Sequence, residues 1–115
     1  MNKPDYILHL ESKHGEKFFS SMVLDAPKNF DKFIKDRKFT LRYSESSFDV
    51  ESDIQYKNKI YQTQQGFFLY LSLETDTTVL YYYEDQINEV TFFIRQLFKQ
   101  FKNATNNNKR TEREN

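Results

Sequence analysis

The stretch from Gly66 to Lys102, GFFLYLSLETDTTVLYYYEDQINEVTFFIRQLFKQFK, decides the fold. Its first part alternates. Phe67, Leu69, Leu71 and Leu73 fall on one side of an extended chain, and Phe68, Tyr70, Ser72 and Glu74 on the other. Successive strand side chains point to opposite faces, so the leucine side is the expected core face. Residues 77–83, TTVLYYY, read as a second strand. The connection at Thr75-Asp76 lacks the glycine of a tight primed turn. A two-residue loop would set Leu71 opposite Leu80, Tyr70 opposite Tyr81 and Phe68 opposite Tyr83; a longer loop would bring in Tyr82 instead. In either register an aromatic patch is expected on the face away from the leucines.

From Ile87 the apolar period changes. Ile87, Val90, Phe93, Ile94, Leu97 and Phe101 fall within one arc at about 100° per residue, with Phe98 at its margin. This predicts an amphipathic helix over about 87–102, capped by Asp85, with Glu84 and Asp85 beside its positive end. Phe92 lies outside the arc, among Asn88, Arg95, Gln96 and Lys99.

Upstream, residues 5–11 (DYILHLE) alternate and predict a strand, with Tyr6, Leu8 and Leu10 on one side. Lys13-His14-Gly15-Glu16 reads as a hairpin turn and 17–24 as the return strand. Asp25-Ala26-Pro27 stops that strand and starts a helix over about 27–37, with Asp25 as cap and Pro27 in the first turn. Phe30, Phe33 and Ile34 share one face of it; Lys28, Lys32 and Lys35 line the other, the pattern of a solvated face. Residues 38–43 read as a strand with Phe39, Leu41 and Tyr43 on one side, Ser44–Ser46 as a turn, and 48–56 as an alternating strand with Asp49, Glu51 and Asp53 on one side. Three carboxylates on a straight strand cannot wrap a cation, so edge protection by charge is the expectation. A turn at Lys57-Asn58 and a short strand over 59–64 complete the sheet. The polar tail 103–115 is expected to be disordered.

The 115-residue length implies one domain, residues 1–102, and 12 Phe with 8 Tyr supply its core. Basic and acidic residues balance at 17 each, which argues against a strong overall field for polyanions. No cysteine is present, so disulfides, thiolate nucleophiles and thiolate metal sites are excluded. No apolar run reaches membrane-span length and no signal-peptide core is visible, so a soluble, cytoplasmic protein is expected. The two histidines, His9 and His14, lack metal-site spacing, no serine has elbow glycines, and two glycines cannot make a phosphate loop. The expectation is a chain without catalysis, metal or cofactor.

Together these readings predict an α+β fold: an antiparallel sheet of five to six strands with a short helix and a long C-terminal helix packed on it. The segment from about Tyr56 to Phe101, with KIYQTQQGFFLYLSL, TTVLYYY and INEVTFFIRQLFKQF, resembles the ββββα unit of PUR repeats and the whirly group. A pleckstrin-like barrel closed by a C-terminal helix also fits the strand count. The first resemblance implies single-stranded nucleic-acid binding on an exposed sheet face. Those families carry Arg and Lys on the sheet, whereas FFLYLSLE and VLYYYED carry none.

Two functions follow as expectations. One is a small protein-interaction module (an inhibitor, an immunity or antitoxin-like protein, an adaptor or an assembly subunit) binding a protein partner through Phe68, Tyr70, Tyr81, Tyr83 and Phe92, because aromatics within a polar rim anchor interfaces. The other is single-stranded nucleic-acid binding, with bases stacked on the aromatics and Lys28, Lys32, Lys35, Arg42, Arg95 and Lys99 on phosphates. Self-association into a homodimer through the aromatic face or a sheet edge is compatible with both.

Overall fold

A computed structural model describes residues 3–26, 28–51, 54–72 and 77–114, with side chains described except at 47–49, 54–56 and 105–114. The chain forms two compact units, residues 1–84 and 85–115.

The first unit begins with a helix where alternation predicts a strand. Helix α1 spans Asp5–His14. A seven-residue window is too short to separate the two periods: Tyr6, Leu8 and Leu10 share a strand face, but Tyr6, Ile7, Leu10 and Glu11 equally share a helix face. Flanking residues favour the helix. The Pro4 carbonyl accepts the N–H groups of Ile7 and Leu8 at 3.0 and 3.1 Å. Asp5 lies in the first turn and Lys13 and His14 in the last, each complementing the helix dipole. Gly15 then leaves the helix at φ 70°, so the glycine expected in a hairpin turn instead ends a helix.

Strand β1 covers Phe19–Leu24 and, lacking a hairpin partner upstream, pairs with β5, Thr77–Tyr83. Between them in the chain come α2 (Phe30–Lys35), β2 (Thr40–Asp49), β3 (Ile54–Gln62) and β4 (Phe68–Ser72). All neighbours pair antiparallel in one sheet of order β1-β5-β4-β3-β2. This is the expected α+β fold with a five-stranded antiparallel sheet, a short helix and a long C-terminal helix.

Several boundaries differ from the sequence reading. The second helix starts at Phe30, not Pro27, which lies outside the described residues; Asn29, at φ 71°, holds the N-cap position without a side-chain hydrogen bond, and Asp25 is not the cap. Ser44–Ser46 and Lys57-Asn58 are not turns. They pair with each other in the middle of a long β2–β3 pairing, and Val50 and Glu51 stand in a turn where β2 ends. The acidic run is therefore not one straight strand; the Asp49 and Asp53 side chains lie outside the described set. Cross-strand pairing outweighs the weak turn preference of serine and asparagine once both flanks have partners.

The β4–β5 register also departs from both sequence alternatives. Phe68 opposes Tyr81, Tyr70 opposes Val79 and Ser72 opposes Thr77; the expected turn at Thr75-Asp76 lies outside the described residues. The parity is unchanged. Phe68, Tyr70, Val79, Tyr81 and Tyr83 share one sheet face, and Leu69, Leu71, Leu80 and Tyr82 the other. We call these face A and face B.

The turn before β4 is closed by three bonds: Thr63 N–H to the Phe67 carbonyl, Gly66 N–H to the Thr63 carbonyl, and Phe67 N–H to Thr63 Oγ1, at 2.9, 3.0 and 3.1 Å. Gly66 sits at φ 93° with open space where a Cβ would be. The expected effect of Gly66→Ala is thus purely conformational, a loss of about 1–2 kcal/mol of unfolding free energy in a urea titration. A neutral substitution would contradict this conformation.

The second unit is a 3₁₀ turn over Glu84–Gln86 followed by α3, Ile87–Glu114. Asp85 therefore lies within the 3₁₀ turn. Val90 and Leu97 are buried, and Phe93, Ile94, Phe98 and Phe101 partly so, while Thr91, Phe92, Arg95, Gln96 and Lys99 are exposed, as the arc predicts; Ile87, placed in the arc, is instead 41% exposed in the first turn. Helical backbone continues past Lys102 to Glu114, and the side chains beyond Ala104 lie outside the described set. Among the described residues no helix is long and apolar enough to cross a membrane.

Candidate functional site: the open edge of the sheet

Face A is an interior. Ile7 of α1, Phe19, Ile60, Phe68, Val79 and Tyr81 form one buried cluster, with Tyr6, Leu10, Tyr70 and Tyr83 packed around it. Phe19 stacks on Tyr83 at 4.5 Å between centroids and meets Phe68 edge-on at 5.6 Å; Tyr6 meets Phe68 edge-on at 6.1 Å. Such aromatic pairs stabilise beyond their buried area. Burial pushes the Tyr81 and Tyr83 hydroxyls above the usual phenol range, so both are neutral at ordinary pH.

Four of the five expected anchors are therefore not surface anchors in this chain. Phe68 and Tyr81 are buried and Tyr70 and Tyr83 half-buried, because the segment 5–11, expected as a hairpin strand, is a helix packed on them. Phe92 is exposed, at 66%. The expected phosphate contacts also separate. Lys32 and Lys35 line a cavity beside the sheet with Lys57 and Lys59. Lys28 is exposed and does not line it. Arg42 Nε donates to Gln62 Oε1 at 2.7 Å, and Arg95 and Lys99 belong to the second unit. Among the described residues no His, Asp and Glu group could hold a metal ion.

The feature that stands out instead is β2. It is ten residues long and forms one edge of the sheet. Every residue from Thr40 to Ser46 is exposed, and among the described residues β3 is the one strand that pairs with it. Leu41 is 49% and Tyr43 36% exposed. A register shift between Leu41 and Tyr43 takes up Arg42 as a bulge, which puts Leu41, opposite Tyr61, on face B and Tyr43, opposite Ile60, on face A. Tyr43 is held: its ring lies 5.9 Å from that of Tyr6, and its hydroxyl donates to Glu45 Oε2 at 3.0 Å. That bond to a carboxylate, with burial and the Glu45 charge, raises the Tyr43 phenol above its ordinary range. An edge strand of this kind offers unpaired N–H and C=O groups between two apolar footholds, one on each face.

No family model, curated protein or solved structure matches this chain.

Sequence reasoning placed Leu41 and Tyr43 on one side of a strand, with no sign that the strand is an edge. Strand order is a long-range property, and local alternation does not encode it. The bulge, which separates the two residues to opposite faces, leaves no glycine or other mark in KFTLRY.

Proposed function

We propose that this chain is a non-catalytic interaction module that takes up an extended segment of a protein partner along β2. The observation that carries this reading is the ten-residue edge strand, exposed from Thr40 to Ser46 and bearing Leu41 and Tyr43. Strand addition supplies main-chain hydrogen bonds for affinity, and alternate side chains read the footholds on either face for specificity. A guest strand here would set alternate residues beside Tyr43 and Tyr6 on face A and beside Leu41 on face B. Base stacking on the sheet face is less well supported, because the aromatics that would stack lie beneath α1.

Selection of peptides from a random library against the immobilised chain tests the proposal. Binders are expected to perturb the amides of Thr40–Ser46, and Leu41→Lys is expected to weaken them by at least about tenfold, or 1.4 kcal/mol. Binders that map elsewhere, or that ignore Leu41→Lys, would reject it. A chain that sediments as a dimer, and as a monomer after Leu41→Lys, would make the occupant a second copy.

A further inference from the structure

We infer that the cavity between α2 and β3 is a binding site for a small phosphorylated anion. It has a volume of about 230 Å³ and is lined by Asp31, Lys32, Lys35, Lys57, Lys59, Tyr61 and Leu71. Its charge comes from the periods of two different elements. Lys32 and Lys35 are three apart on a helix, and Lys57 and Lys59 two apart on a strand, so each pair projects to one side. Face B of β3 and the polar flank of α2 bring the pairs together over Leu71 and the buried Tyr61.

Four lysines and one aspartate line this cavity. Among the described residues no ion pair is seen for any of the four, whereas Lys3 of the same unit pairs with Glu11. The whole chain is neutral at 17 against 17, so the concentration of positive charge is local. Like charges around an apolar floor repel more strongly than they would in bulk water. A multivalent anion turns that repulsion into attraction, which a monovalent ligand does only in part.

The lining also selects the ligand. Lysines act as compact point charges with three donors each, suited to phosphate oxygens without the planar preference of arginine. The Tyr61 hydroxyl is raised by burial and by the Asp31 charge, so it stays protonated and can donate. Drug-sized ligands occupy pockets of roughly 300–1,000 Å³. A cavity of about 230 Å³ fits a phosphate or diphosphate group with little attached. A nucleic-acid backbone would need cations that continue as a track. Arg42 is engaged by Gln62 and Lys28 lies outside the lining, so neither extends the four lysines into such a track.

Inorganic diphosphate is the probe. Calorimetric titration of the full chain at constant ionic strength should give saturable binding with Kd below about 1 mM, a level that chloride does not reach. Lys59→Glu and Lys57→Glu should each weaken it at least about tenfold. Lys28→Glu carries the same charge change outside the cavity and should leave Kd within about twofold. Lys59→Gln, which removes the charge without reversing it, covers misfolding of the reversed variant and should also weaken binding. Absence of saturable binding would overturn the site, as would equal weakening by Lys28→Glu. So would tighter binding of a labelled oligothymidine than of diphosphate, since that would mean an extended track. Leu41→Lys should leave diphosphate binding unchanged, so this site and the strand-addition proposal stand or fall separately.

Discussion

Ile7→Asp should destabilise the protein by more than about 4 kcal/mol, and Leu8→Asp, one residue along, by less than about 0.5 kcal/mol. Ile7 is fully buried against the aromatic layer of face A, whereas Leu8 is 48% exposed on the outside of α1. Truncating a buried isoleucine to alanine alone costs about 2–5 kcal/mol, and placing a carboxylate there adds the penalty of an unpaired buried charge. The comparison separates the two readings of the N-terminus. A strand over residues 5–11 would group Leu8 with Tyr6 and Leu10 and make Leu8 the sensitive position. Urea titration of both variants measures the difference. Detaching α1 would also uncover Phe68, Tyr81 and Phe19, so dye binding to exposed apolar surface should rise in Ile7→Asp at urea concentrations where β-sheet circular dichroism persists. Equal effects of the two substitutions would rule out the helix over face A.

Glu11→Ala should cost about 2–3 kcal/mol, and Glu11→Gln distinctly less. Glu11 is 6% exposed, yet it is satisfied twice. Its Oε2 accepts the Phe19 N–H at 2.8 Å and pairs with the Lys3 ammonium. The residue thus ties α1 to the first backbone amide of β1. Alanine leaves that buried N–H without an acceptor; glutamine keeps an acceptor oxygen and loses the charge. Burial by itself raises the Glu11 carboxyl, but the Lys3 hydrogen bond, the Phe19 N–H and the Lys3 charge outweigh it, and the net shift is downward. A folded-state value below the unfolded one binds fewer protons in the native state. The stabilisation is therefore present above the ordinary carboxylate range and is lost as pH falls from that range through the lowered value. Wild type and Glu11→Gln should differ at pH 7 and converge in acid. A constant difference across that range would show that the ion pair contributes nothing.

The same two residues explain what was legible. In DYILHLE the identities that matter, Ile7 and Glu11, stand four apart, and the helix face they share was present in the sequence. A competing alternation of equal length obscured it. Once α1 is a helix, β1 has no hairpin partner upstream and pairs with β5 across the sheet, and the aromatics Phe68, Tyr70, Tyr81 and Tyr83 move from surface to interior. One misread period of seven residues thus accounts for most of the difference between the expected and the observed surface. The longer amphipathic stretch of α3 offered no such ambiguity, and Phe92 is exposed where its position on the helix required. Lys57 and Lys59 escaped notice because KNK reads locally as a turn, and only pairing with Ser46 and Ser44 makes it a strand.

By itself the sequence determined the α+β class, the strands of 68–72 and 77–83, the split of their residues between two faces, and the polar and apolar sides of the C-terminal helix. All of these follow from local periodicity, which the identities of neighbouring residues specify directly. Only the tertiary structure decided which face is covered, which strand is an edge, and which lysines meet. Those depend on contacts between residues far apart in the chain, where the burial of Ile7, the Glu11 tie to Phe19 and the β1–β5 pairing outweigh local preference.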